Sequence, residues 1–253
     1  GLQGDGFLDE HVQPAIDRSH RLLVVQIVRR GDDDGVEVGV EQLLVVSGGE
    51  SEPELVALSE VASSMSLRAP VALRINPDVD AGTHHKISTG RKGDKFGIDI
   101  DQALSVISRA VTLPGISFEG IAMHIGSQLT RLEPYRAAYT RLAELVTVLR
   151  GKGIAIRRLD LGGGLGVVYR DETLPSPADY AAIVRDTVGK LGCDLVIEPG
   201  RYLVAETGVL LTRIIYMKDG ASRRFAIIDA AMNDLMRPSL YGAYHPIYPV
   251  RNP

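Results

Sequence analysis

Arg-Leu-Asp-Leu-Gly-Gly-Gly-Leu-Gly, residues 158–166, is the stretch on which the fold of this chain turns. The short run from Leu159 to Leu161 reads as a buried strand, and Gly162, Gly163 and Gly164 cut it off. Glycines at a strand end let a ligand approach the backbone without meeting a Cβ. Their successive N–H groups can also converge on an anion such as phosphate. A tight strand-to-helix turn without a ligand would use the same residues, so the neighbouring segments decide between the two.

Upstream, residues 118–125 are apolar except for Glu119 and His124, and Gly126-Ser127 closes them. A lone histidine among apolar residues serves as a hydrogen-bonded core residue. A histidine at a strand end before Gly-Ser suits a site. Further upstream, residues 71–75 form a β-rich run ended by the turn signature Asn76-Pro77-Asp78, with Arg74 near its end. Downstream, residues 194–197 form another buried strand that stops at Glu198-Pro199-Gly200-Arg201.

Helical patterns at 52–64, 101–110, 131–150 and 177–191 separate these strands. Arg74, His124, the glycine run and the segment from Glu198 to Arg201 therefore all fall at carboxyl ends of strands joined by helices. This predicts an α/β chain forming the mouth of a partial TIM-type (β/α)8 barrel. A Rossmann sheet is the alternative, but its Gly-x-Gly-x-x-Gly fingerprint is not completed after Gly166.

The flanks differ from this pattern. Residues 1–44 carry nine acidic residues, four arginines and no lysine, with possible strands at 22–28 and 36–46, and they stay unassigned. Residues 82–97, with His84, His85, Lys86, Arg91, Lys92 and Lys95, read as a long polar loop, either a lid or a solvated surface. No carboxylate or cysteine pattern accompanies the two histidines, so no metal site is expected. After Arg201, the β-branched residues 202–217, the turn Asp219-Gly220 and residues 224–229 predict the start of a β domain, and 236–245 an irregular aromatic loop. The expected division is an unassigned segment at 1–44, an incomplete barrel at 45–205, and the truncated start of a C-terminal β domain at 206–253.

The chain has 253 residues, 45% of them hydrophobic, and a net charge of −4. That balance disfavours nucleic-acid binding. Cys193 is the single cysteine, which leaves no intramolecular disulfide and suits a reducing compartment. No stretch reaches the ~18 uninterrupted apolar residues of a membrane span, so no membrane partner and a cytoplasmic location are expected.

Taken together, Leu-Arg-Ile-Asn-Pro-Asp-Val (73–79), Lys-Phe-Gly-Ile (95–98), His-Ile-Gly-Ser-Gln (124–128), Leu-Asp-Leu-Gly-Gly-Gly (159–164), Glu-Pro-Gly-Arg (198–201) and Arg-Pro-Ser-Leu-Tyr (237–241) resemble the diaminopimelate decarboxylases. These belong to the alanine-racemase-like fold type of pyridoxal-phosphate enzymes, along with ornithine and arginine decarboxylases. The resemblance covers residues 50–253. It implies pyridoxal 5'-phosphate as cofactor, with His124 stacked on its ring and Glu198 facing the ring nitrogen as the two catalytic residues. Ser127, Gly163, Gly164, Pro199, Gly200 and Arg201 would surround the cofactor, and Arg74 would support the site. Arg201, Arg237 and Tyr241 match the positions that hold a small-molecule amino-acid substrate, meso-2,6-diaminopimelate, whose decarboxylation gives L-lysine. Guanidinium forks suit its distal carboxylate, whereas ornithine has none. A homodimer is implied as well.

The chain also departs from the family pattern. The lysine that carries the cofactor covalently sits on an early barrel strand in the family, but the first lysine here is Lys86. Residues 45–50, Val-Val-Ser-Gly-Gly-Glu, resemble a barrel strand that runs directly into 51–55, so Glu50 reads as a junction. The family's later cysteine–glutamate segment has no counterpart before Pro253, and Cys193 reads as a small buried residue. The chain is thus expected to be truncated at both ends. The alternative readings are a non-catalytic fragment or pseudoenzyme, a related ornithine- or arginine-type decarboxylase, and a barrel for another phosphorylated ligand with Glu198 as an acid/base group.

Overall fold

The computed structural model describes residues 46–80 and 96–250. The candidate strand at 22–28, most of that at 36–46, and most of the polar loop at 82–97 lie outside the described residues.

Six strands form one parallel sheet: β1 (Val46–Gly49), β2 (Ala69–Asn76), β3 (Ile98–Asp99), β4 (Ile116–Ala122), β5 (Arg158–Gly163) and β6 (Asp194–Glu198). Their order is β1-β2-β4-β5-β6, with the two-residue β3 paired to the end of β2. Helices α1 (Glu52–Ser64), α2 (Ile100–Ala110), α3 (Glu133–Gly151) and α4 (Pro177–Thr187) fill the crossovers. Apart from the short β3, each strand lies beside the one before it in the chain. Right-handed crossovers in such an order place every helix on the same face. That is the wall of a barrel. A doubly wound Rossmann sheet would reverse its order, so the strand order excludes it.

The local signals explain these elements. On α3, Tyr135, Ala138, Tyr139, Leu142, Leu145, Val146 and Leu149 are buried at helical spacing and face the sheet. At the start of α4, the Ser176 side chain accepts from the Asp179 N–H, and the Asp179 carboxylate accepts from that of Ser176. On β2, successive residues Val71, Ala72 and Leu73 are all buried, as expected for a parallel strand covered on both faces.

Several predicted boundaries move. β4 ends at Ala122, so His124 lies two residues past the strand, and β5 runs on through Gly163. α4 stops at Thr187, and residues 189–191 form a 3-10 turn. The predicted long strand at 202–217 divides into a short helix, α5 (Gly200–Val204), and β7 (Ile214–Asp219), which pairs antiparallel with β8 (Arg224–Ile228). The β-branched and leucine residues at 209–213 find no partner strand among the described residues, and propensity without cross-strand pairing does not make a strand. The expected irregular loop contains one more helix, α6 (Arg237–Tyr241), with Pro238 in its first turn. Nearly every residue of β7 and β8 is exposed. Cys193, expected to be buried, is half-buried: its thiol accepts from Arg150 Nη2 at 3.1 Å and lies 3.5 Å from the Ile156 carbonyl.

Candidate functional site

The glycine run is held from behind by α3. Tyr135 donates its hydroxyl to the Gly163 carbonyl at 3.3 Å, and Tyr139 donates to the Leu161 carbonyl at 3.2 Å. The N–H of a trans peptide points opposite its carbonyl. With the Gly163 carbonyl turned toward α3, the Gly164 N–H therefore points away from the helix. The two preceding N–H groups are engaged: Gly162 donates to Asp160 Oδ1 at 2.9 Å and Gly163 to His124 Nδ1 at 3.3 Å. The Gly164 N–H has no acceptor among the described residues. A Cβ at Gly163 would run into the Glu198 carbonyl, and one at Gly164, where φ is +96°, into that of Gly126. Only glycine fits either place.

Asp160 stands behind this turn and is 7% exposed. Burial pushes its carboxyl up to about 6; the Gly162 N–H counters that, the Glu198 carboxylate adds to it, and Arg158 and Arg74 oppose it. His124 is driven the other way. Burial first, and then the Arg74 cation, lower its pKa below 6.5 and favour the neutral ring. Because Nδ1 accepts the Gly163 N–H, the neutral ring carries its proton on Nε2. Arg74 itself is paired with Glu50 at 2.7 Å and lies 5.2 Å over the Phe96 ring. It acts on His124 through charge rather than contact.

A second cluster forms around Arg201, in the first turn of α5. Its Nη2 donates to Ser127 Oγ at 3.0 Å, and its Nη1 to Gln128 Oε1 at 3.1 Å and to the Tyr169 hydroxyl at 3.3 Å. Gln128, in a left-handed conformation at φ 60°, is fixed by the Val167 backbone through Nε2 at 2.6 Å and Oε1 at 3.1 Å. Arg237, at the start of α6, donates from Nη1 to the same Tyr169 hydroxyl at 2.7 Å.

The tips of β4, β5 and β6 thus bring His124, Ser127, Gly163, Gly164, Glu198, Pro199, Gly200 and Arg201 to one end of the sheet. Glu198 sits opposite Gly163 in register, Pro199 caps α5, and Gly200 is its first residue. Arg237 joins through Tyr169. Tyr241 ends α6 at 49% exposure, and its side chain makes no hydrogen bond or ring contact among the described residues.

Sequence reading missed Asp160, which was counted inside an apolar run, and also Gln128, Tyr135 and Tyr169. Gln128 sits in a quoted motif, and its place after Gly-Ser was an available signal. Tyr135 and Tyr169 gave none, since their partners lie 28 to 68 residues away. Of the lysines, Lys152 caps the C-terminus of α3, Lys190 lies in the 3-10 turn and Lys218 in β7; all three are exposed. Lys86, Lys92 and Lys95 lie outside the described residues. Among the described residues no helix is long and apolar enough to cross a membrane, and no three His, Cys, Asp or Glu residues are grouped to hold a metal.

Comparison with known proteins adds three findings. Residues 34–205 match the family model described as pyridoxal-dependent decarboxylase, pyridoxal binding domain. The chain is 53% identical over 216 residues to the diaminopimelate decarboxylase of Pseudomonas aeruginosa, covering 85% of this chain and 51% of that protein. It is 51% identical over 203 residues to that of Vibrio cholerae, covering 80% and 49%. The chain therefore spans about half the length of these curated relatives. Among solved structures, diaminopimelate decarboxylase from Helicobacter pylori complexed with L-lysine superposes with a TM-score of 0.75 at 41% identity, over 78% of this chain and 50% of that one. The enzyme from M. jannaschii in co-complex with L-lysine gives 0.72 at 38%, over 79% and 48%.

Proposed function

The chain belongs to the pyridoxal-dependent decarboxylase family, and from that premise we propose that its site serves the decarboxylation of meso-2,6-diaminopimelate to L-lysine. The observation that carries this reading is the approach of two guanidinium groups, Arg201 and Arg237, to one end of the sheet where His124, Gly164 and Glu198 also stand. A substrate with a second carboxylate, remote from the reacting centre, suits two such forks. Ornithine and arginine offer no such group, which favours the diaminopimelate branch.

The residues fit the cofactor. Glycine is required at 163 and 164 by the close approach of the Glu198 and Gly126 carbonyls, and the Gly164 N–H has no acceptor among the described residues. Gly164, Gly200, Ser127 and Arg201 would hold the phosphate. Neutral His124 would lie against the ring and Glu198 would keep a proton on its nitrogen, with Pro199 shaping the turn between Glu198 and Gly200. When bound, pyridoxal phosphate supplies a ring that accepts the electron pair left as carbon dioxide departs. Arg74 would hold His124 neutral. Arg201, Arg237 and Tyr241 would orient the substrate.

A second reading concerns competence. The exposed positions of Lys152, Lys190 and Lys218 favour a chain that keeps the site but performs no chemistry by itself. The two readings share the site and differ only in turnover.

The remaining proposals concern assembly and place. The exposed apolar residues Leu203, Val209, Leu211 and Ile247 support a homodimer. The single half-buried cysteine supports a reducing, cytoplasmic location. The net charge of −4 supports small-molecule partners over nucleic acid. The proposed boundaries remain an unassigned segment at 1–44, a barrel at 45–205 and the start of a β domain at 206–253.

The test is binding. Pyridoxal phosphate is titrated by absorbance, and meso-diaminopimelate and ornithine are then compared by calorimetry. Tighter binding of the dicarboxylic acid is expected. Equal affinity for ornithine would overturn the substrate assignment.

A further inference from the structure

Tyr169 lies in the segment between β5 and α4, and two cations converge on its single hydroxyl oxygen. Arg201 reaches it at 3.3 Å and Arg237 at 2.7 Å, although the two arginines are 36 residues apart in the chain. Both guanidinium carbons also lie over the ring, 5.8 Å and 5.3 Å from its centroid. The His245 ring packs edge-on against it at 5.8 Å.

A phenol oxygen carries one proton and two acceptor positions. The two arginine N–H groups use both acceptor positions, so the hydroxyl proton is left to donate elsewhere. Like charges drawn to one point repel each other unless an anion offsets them. Neither Arg201 nor Arg237 has a carboxylate partner among the described residues. A further unsatisfied atom lies on the ring packed against Tyr169: His245 Nε2, the one buried side-chain nitrogen or oxygen without a hydrogen-bond partner among the described residues. Two unneutralised cations, a spare phenol proton and an orphaned imidazole nitrogen are thus gathered around one ring.

We propose that Tyr169 sets the spacing of Arg201 and Arg237 and donates a hydrogen bond from its own hydroxyl to an oxyanion that both guanidinium groups share. The His245 ring packs edge-on against Tyr169 and buttresses it. The inference rests on the function proposed above and deepens it. The oxyanion is a carboxylate of the substrate or the phosphate of the cofactor, and both present the same acceptor oxygens to this cluster.

Calorimetry on the full chain separates these sources and tests the role. The probes form two pairs: L-lysine against 1,5-diaminopentane, which lacks the carboxylate, and pyridoxal phosphate against pyridoxal, which lacks the phosphate. Tyr169→Phe keeps the ring and both cation contacts and removes only the oxygen. It should weaken the oxyanion-bearing member of one pair about 10-fold, as the loss of a charge-assisted hydrogen bond implies, and leave the other member of that pair unchanged. A loss confined to L-lysine identifies the carboxylate, and a loss confined to pyridoxal phosphate the phosphate. Arg237→Lys should weaken the same ligand, and the double variant should lose less than the sum of the two. Wild-type affinities retained in Tyr169→Phe, equal losses within both pairs, or strict additivity would overturn the role of Tyr169 and leave the proposed function standing. A wild-type chain with no preference within either pair would overturn both.

Discussion

The Tyr135 hydroxyl meets the Gly163 carbonyl at 3.3 Å, and one turn further along α3 Tyr139 meets Leu161 at 3.2 Å. The spacings match. Four residues of helix advance about 6 Å, and two residues of strand about 6.6 Å, so two hydroxyls on one helical face meet two carbonyls two residues apart on β5. Burial, followed by the neighbouring Tyr180, raises both phenol pKa values, so the two groups stay protonated donors. The helix thereby fixes the peptide planes of the glycine run.

Replacing either tyrosine by phenylalanine leaves a buried carbonyl without its donor and should cost about 1 kcal/mol in urea unfolding. Tyr139→Phe should cost the more, since its hydroxyl also lies 2.9 Å from that of Tyr180. Tyr135→Phe should in addition weaken pyridoxal phosphate binding, because it frees the plane that aims the Gly164 N–H. Unchanged cofactor affinity in that variant would show that the glycine run holds its shape without α3.

Asp160 sets a pH dependence whose sign is opposite to that of an ordinary ion-paired carboxylate. Its pKa in the folded chain is about 6, above the ordinary 3.8. Between those values the folded chain keeps a proton that the unfolded chain has released. The stability it contributes is complete below about pH 4 and is lost as the pH rises to about 6. Asp160→Asn retains an oxygen for the Gly162 N–H and carries no charge. It should melt higher than the parent at pH 8, with the difference shrinking toward pH 4.5. A variant that melts lower than the parent at pH 8 would mean that the Asp160 charge itself is needed.

His124 should titrate below 6.5, with its proton on Nε2. Burial and Arg74 both disfavour the cation, and the Gly163 N–H occupies Nδ1. The stability contributed by the neutral ring is present above about pH 6.5 and is lost as the pH falls through the lower folded value. Nitrogen-15 shifts of a selectively labelled chain read both the midpoint and the tautomer. A midpoint at or above 6.5, or a protonated Nδ1, would contradict the assignment.

The strand tips were legible because each signal is local: an apolar run, then glycine or proline, then charge. Arg74, Ser127, Gly164 and Arg201 stand out in this way. Strand order confirmed the barrel wall over a Rossmann sheet, and the incomplete glycine fingerprint at 162–166 pointed the same way. Tyr169 was not legible. Its meaning lies in two arginines 32 and 68 residues downstream, and no spacing within its own segment announces them. Asp160 was hidden for the opposite reason, since a single carboxylate between two leucines does not break the apolar pattern of a buried strand. Residues 209–213 misled because β-branched composition records a preference, whereas a strand also requires a partner.

The last prediction concerns turnover by this chain alone. In this family a lysine holds the cofactor covalently, and an amine does so when burial or a neighbouring cation favours its neutral form. Lys152 follows α3 and Lys190 precedes β6, so topology places both where strands begin, at the end of the sheet opposite His124, Gly164 and Glu198. Lys218 lies on β7, outside the parallel sheet. None of the six lysines falls within a motif that matches the family's cofactor-carrying position. The chain is therefore expected to bind pyridoxal phosphate reversibly through Gly164, Gly200, Ser127 and Arg201, where charge-assisted hydrogen bonds contribute roughly 1.5–3 kcal/mol each, and to release no measurable L-lysine from meso-diaminopimelate. Borohydride reduction of the loaded chain followed by peptide mapping checks this. Scattered, substoichiometric labelling is the expected result. One stoichiometric cofactor–lysine adduct accompanied by L-lysine production would show that one of the six serves, and that the chain is competent as it stands.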